Sequence, residues 1–114
     1  DIALDTAPYN GTTTTCEALW MGVPVITLAG TRHASRVGCS LLRSVGLDQL
    51  VAMDEEAFVS IARGLASDAG ALNELRMSIR AKMEASPLRD EAGFATRFGE
   101  AVESMWEKSM AAKA

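Results

Sequence analysis

The run Val23-Pro24-Val25-Ile26-Thr27-Leu28 constrains this chain more than any other stretch. It is short, apolar and β-branched, the composition of a strand buried on both faces. What precedes it fits a matching unit. Ile2 to Leu4 is a short apolar run between aspartates, which predicts another buried strand. Thr6 to Gly11 carries Pro8, Asn10 and Gly11 and reads as a loop. A helix is predicted from Thr12 or Thr13 to Met21, with Cys16, Leu19 and Trp20 on one side. Gly22 suits a left-handed helix end, and Pro24 prevents continuation. The first thirty residues therefore read strand, loop, helix, strand. That is a βαβ unit, with parallel strands and a right-handed crossover.

The pattern continues. Gly30 to Ala34 is a second loop, and Ser35 is the expected cap of a helix to about Val45, closed by Gly46. Val37, Leu41, Leu42 and Val45 lie on one face of that helix. Leu50 to Met53 is a third strand candidate, and Asp54 caps a helix whose inner stripe is Phe58, Ile61, Ala62 and Leu65. A further helix covers Ala71 to about Ala85, with Leu72, Leu75, Ile79 and Met83 inward, until Ser86-Pro87 interrupts the chain. The last runs from Asp90 to about Lys108, with Phe94, Phe98, Val102, Met105 and Trp106 as its apolar residues. Trp20, Trp106 and most of the six methionines are expected in the core.

The fold class is thus α/β, with a partial Rossmann-like parallel sheet of about three strands. Residues 1–53 form the βα units and residues 54–114 the C-terminal helices. A doubly wound domain normally has more strands. The opening Asp1-Ile2-Ala3-Leu4-Asp5 reads like the middle of a fold. Strands before residue 1 are expected, as in a cut from a longer chain. An uncovered edge on the first strand would then favour pairing with another copy.

Net charge is −4 and the isoelectric point about 4.9, which offers no basic footprint for nucleic acid. A small phosphate-bearing ligand is still allowed, because backbone amides can hold it. No apolar run approaches membrane-spanning length, and no signal peptide is seen, so a cytoplasmic protein without a membrane partner is expected. Cys16 and Cys39 read as reduced and buried. With the single His33 they supply too few zinc ligands, and no metal is expected.

In open parallel sheets, ligands sit beyond the carboxyl ends of the strands. Asp5 to Thr15 and Ala29 to Ser35 reach that edge. The first offers Gly11, the amides and hydroxyls of Thr12, Thr13 and Thr14, and Glu17 one turn beyond Thr13. An anion fits such a helix start, and a carboxylate nearby could accept from a ribose diol. The residues alone favour, slightly, threonines that simply cap the helix and a solvated Glu17. Arg36 is a possible anion contact or a surface ion-pair partner. Asp5 could touch a ligand or fix its loop by an Asx turn. His33 has no visible catalytic partner, and no residue is assigned a catalytic role.

The stretch LDTAPYNGTTTTCEALWMGVPVITLAG…ASRVGCSLL, with SPLRD and MWE further on, closely resembles the C-terminal catalytic region of the O-linked N-acetylglucosamine transferases and their SPINDLY-like relatives. The resemblance implies a GT-B fold of two Rossmann-like domains, usually preceded by tetratricopeptide repeats. It implies an inverting, metal-independent glycosyltransferase, here the C-terminal part of the domain that binds the nucleotide sugar. UDP-N-acetylglucosamine is the implied donor, a substrate rather than a cofactor, and Ser or Thr of a protein the acceptor. GDP-fucose, used by plant SPINDLY proteins, is the alternative. A protein-interaction module without donor binding is another. By resemblance, Thr13 and Thr14 bind the diphosphate with Thr12 beside them, and Glu17 binds the ribose. Thr12 stands where the family usually carries a histidine that touches the nucleotide, a departure that bears on donor identity. The base-binding lysine region and the acceptor-shaping domain would lie upstream of residue 1. Residues 1–114 alone are therefore expected to be inactive.

Overall fold

The computed structural model describes residues 1–112 of the 114-residue chain. Its centre is the strand the sequence singles out. Val25–Leu28 (β2) lies between Ala3–Leu4 (β1) and Val51–Ala52 (β3) in a parallel sheet of order β1-β2-β3. Ala3 stands opposite Val25, and Thr27 opposite Val51. All three strands are shorter than expected, and for β2 and β3 the reason is local. The Val23 amide donates to the Ala18 carbonyl and so belongs to the preceding helix end. Pro24 has no N–H, although its carbonyl accepts from Ala3. Leu50 closes a 3-10 turn, Asp48–Leu50, before β3 begins.

The first helix, Thr13–Trp20 (α1), ends where Gly22 takes a φ of 71° and its amide donates to Leu19. A side chain there would be strained and would also meet the Arg76 carbonyl oxygen. Val37–Ser44 (α2) follows, then Glu55–Ser67 (α3), Ala69–Glu84 (α4) and Glu91–Ala111 (α5). Asp54, Asp68 and Asp90 cap the last three by accepting from Ala57, Ala71 and Gly93.

Ser35 does not cap α2. It sits buried in a 3-10 turn, His33–Ser35, and its hydroxyl exchanges hydrogen bonds with the Arg32 carbonyl and amide. Arg36 occupies the position before α2 and makes no side-chain cap. Ser35 is drawn into the loop because Gly30 packs directly against it; a Cβ at Gly30 would overlap the Ser35 hydroxyl.

The core joins Leu19, Val25, Ile26, Leu42, Val45, Leu47, Leu50, Ile79 and Met83, with Phe58, Ile61, Ala62 and Leu65 packed onto it. The inner stripe of α3 is therefore where its spacing put it. Cys39 is buried, but Cys16 is only half-buried; both are free thiols.

The last helix corrects the expectation of core residues. Phe94, Phe98, Val102, Met105 and Trp106 are exposed, Trp106 by 67%. After the 3-10 turn Pro87–Arg89, α5 leaves the body of a molecule 64 Å long. Substantial packing between elements involves only those before α5, among the described residues. Helical spacing identifies an apolar face but not what covers it. The methionines fail the same expectation: Met21, Met53, Met77, Met105 and Met110 are exposed, and Met83 alone is buried. Trp20 is half-buried, with the guanidinium groups of Arg80 and Arg89 at 4.5 and 5.1 Å from its ring.

This division predicts opposite outcomes for two truncations. Leu19→Ala should cost about 2–5 kcal/mol of stability in urea unfolding. Phe98→Ala should stay within about 0.5 kcal/mol. A large loss for Phe98→Ala would mean that α5 is packed against the body.

Candidate functional site

The carboxyl edge of the sheet is organised by Asp5, directly after β1. One carboxylate oxygen accepts from the amides of Thr6 and Gly11 at 2.9 and 2.8 Å. The other accepts from the Thr27 hydroxyl on β2 at 2.8 Å. Asp5 thus ties both ends of the loop to the central strand, and the loop-fixing alternative is the one realised. Asn10, 1% exposed, completes the lock. Its side chain donates to the Thr6 carbonyl and accepts from the Gly38 amide, and its own amide donates to Ala34. The two loops at this edge are therefore one unit. Gly38 is required for it, because a Cβ would overlap Asp5 and Thr27.

The loop delivers the chain into α1. A Cβ on Gly11 would stand 2.6 Å from the Thr14 hydroxyl and 3.1 Å from that of Thr15, so a larger residue would force those side chains to move. Thr15 is buried and its hydroxyl donates to the Gly11 carbonyl at 3.0 Å. Thr12, Thr13 and Thr14 are exposed. Thr12 occupies the N-cap position without making a side-chain cap, so the capping alternative fails for it. The first helical bond runs from Cys16 to Thr12 at 3.0 Å. The amides of Thr13, Thr14 and Thr15 find no protein acceptor among the described residues. Three free N–H groups at the positive end of a helix favour an anion.

The side chains around this end fan out. Thr12 opens onto a cleft of about 750 Å³ along α2, shared with His33, Arg36 and Arg43. Thr14 lines a smaller hollow of about 170 Å³ with Asp5 and Gly11. Glu17 is exposed beside Cys16, Trp20, Met21 and Met83, around a shallow apolar depression. Thr12 and Glu17 thus line different concavities, bridged by the helix end itself. Arg36 donates to the Gly30 carbonyl at 2.9 Å. It forms no ion pair among the described residues, so the surface ion-pair alternative is not realised. Among those residues, no group of three or more His, Cys, Asp or Glu could hold a metal ion. No described helix is long and apolar enough to cross a membrane.

Comparison with known proteins gives concordant results. Residues 1–98 match the family model described as glycosyl transferase family 41. A probable UDP-N-acetylglucosamine–peptide N-acetylglucosaminyltransferase SPINDLY of Oryza sativa subsp. japonica is 54% identical over 108 residues, covering 95% of this chain and 12% of that protein. The UDP-N-acetylglucosamine–peptide N-acetylglucosaminyltransferase of Caenorhabditis elegans is 34% identical over 108 residues, covering 95% of this chain and 9% of that protein. The chain therefore spans about an eighth or less of the length of these curated relatives. A solved O-GlcNAc transferase mutant of Thermobaculum terrenum matches with a TM-score of 0.90 at 42% identity, covering 99% of this chain and 22% of that one. The partial Rossmann-like α/β fold is shared with that transferase.

One chemical property of the site can be read directly. Burial raises the pKa of the Cys16 thiol, and the Glu17 carboxylate raises it further. The thiolate should therefore appear only above the ordinary cysteine range. Disulfide-exchange titration of a Cys39→Ser variant should show this, and Glu17→Gln should lower the midpoint without abolishing the shift. A midpoint unmoved by Glu17→Gln would place the carboxylate away from the thiol.

Proposed function

The chain belongs to glycosyl transferase family 41, and on that premise we propose that residues 1–114 are the donor-binding portion of a protein O-glycosyltransferase. The reaction moves a sugar from a nucleoside diphosphate to a Ser or Thr hydroxyl. The observation that carries this reading is the start of α1: three unpartnered amides, from Thr13 to Thr15, at the carboxyl edge of a parallel sheet. A nucleoside diphosphate is the leaving group of such a transfer, and negative charge grows on it as the glycosidic bond breaks. Fixed amide dipoles stabilise that charge with no reorganisation at the moment of reaction.

In this reading the Thr13 and Thr14 amides and hydroxyls hold the diphosphate, with Thr12 at the edge of the same helix start. Glu17, one turn along, accepts from the ribose hydroxyls. Arg36 faces the cleft beside Thr12 and supplies a guanidinium to the phosphates, in place of a metal ion. UDP-N-acetylglucosamine is the proposed donor, following the names of the relatives. GDP-fucose, the alternative that the resemblance to plant SPINDLY proteins implies, is the second choice. Residues 1–114 alone do not transfer sugar in this reading, and the two free thiols suit a reducing cytoplasm. We also propose that the isolated chain self-associates through the β1 edge and the apolar face of α5. Light scattering would show a mass above the monomer, and a clean monomer would refute it.

Titration calorimetry of the full-length protein with UDP, GDP and their sugars tests the donor assignment. Glu17→Ala should weaken the bound nucleotide about 10-fold or more, the scale of a hydrogen bond to a charged group. Thr13→Ala and Thr14→Ala, which keep the amides, should cost only a few-fold. Unchanged affinity in Glu17→Ala would remove the ribose assignment, and no binding of any nucleotide would overturn the donor site.

A further inference from the structure

The cleft that begins at Thr12 is larger than a diphosphate requires. It follows the outer side of α2, away from the depression that holds Glu17. If the nucleoside lies on the Glu17 side of α1, the cleft is left for the other reactant. Its lining has a definite chemistry. Val37 and Leu41, one turn apart, give it an apolar floor. Ser40 and Ser44, likewise one turn apart, put hydroxyls beside that floor. His33 and Arg36 stand at the Thr12 end, and Arg43 stands at the far end. No carboxylate lines it, in a chain whose net charge is −4. Asp48 is the acid nearest Arg43, at 3.6 Å from its Nε, with both side chains more than half exposed. That contact leaves the terminal guanidinium nitrogens of Arg43 free to donate to another partner.

We infer that this cleft binds the acceptor polypeptide and selects an acidic side chain near the modified Ser or Thr. The inference rests on the donor-site reading above, because Thr12 then marks where the sugar is handed over. Arg36 and Arg43 are seven residues apart on the helix, about 10 Å at 1.5 Å per residue. An extended peptide advances about 3.3 Å per residue, so the acid belongs about three positions from the acceptor hydroxyl. The Ser44 hydroxyl is turned back onto the Ser40 carbonyl at 2.9 Å, and the Ser40 hydroxyl beside the apolar floor fits a peptide better than a compact anion. Arg43 acts here as a specificity residue and takes no part in the chemistry.

The test uses the full-length protein and three fluorescent peptides of equal length around one Ser. They carry Asp, Asn or Lys three residues from it. Anisotropy measures peptide binding with and without nucleotide, and calorimetry measures nucleotide binding separately. The Asp peptide should bind about two- to five-fold more tightly than the Asn peptide, the range of an exposed ion pair. The Lys peptide should bind most weakly. Arg43→Gln should remove the preference and leave nucleotide affinity unchanged. Equal binding of the three peptides would overturn the inference. So would a preference that survives Arg43→Gln, or a loss of nucleotide affinity in that variant with peptide binding intact. Failure of nucleotide binding alone, with the Asp preference retained, would count against the donor site and not against the acceptor cleft.

Discussion

Everything at the carboxyl edge of this sheet depends on the Asp5 carboxylate. Three donors converge on it: the amides that open and close the first loop, and a hydroxyl on the central strand. A loop with Pro8 and Gly11 has little reason of its own to hold one shape. Asp5 holds it against β2, and Asn10 fastens it to the second loop through Ala34 and to α2 through Gly38. The result is a helix start whose position is set by largely half-buried hydrogen bonds rather than by its own cap. A charge-binding site gains from that arrangement, since dipoles already fixed in place need no reordering when the ligand arrives.

The four threonines show how one residue type divides into roles. Thr15 is buried and bonds back to Gly11, so it builds the turn. Thr12 points to the α2 cleft, and Thr14 to the hollow beside β1. The shared element is the row of amides beneath them. Glu17 stands apart, in a concavity with Trp20 and Met83. A ligand that satisfied all of these groups would have to pass across the end of α1. A nucleotide sugar, with ribose, diphosphate and hexose in sequence, has that extended shape.

Much of this was legible in the sequence. The β-branched run gave the central strand, the glycines gave the helix ends, and Asp54 gave its cap. Glu17 and the threonines could be placed at a strand-to-helix edge from spacing alone. Three things could not. The role of Ser35 depended on its contact with Gly30, which no local pattern encodes. Asn10 and Gly38 are partners 28 residues apart, and only the fold brings them together. The apolar stripe of α5 reads as core because its spacing is that of a buried face. The structure leaves it uncovered, and what an apolar face meets is a tertiary fact.

The central claim is that the fixed start of α1 receives the donor diphosphate. A crystal structure of the full-length protein with UDP or GDP tests it most directly. The account predicts phosphate oxygens within about 2.7–3.2 Å of the Thr13 and Thr14 amide nitrogens, with a ribose hydroxyl on Glu17. Phosphates bound elsewhere, with those amides still facing solvent, would contradict it.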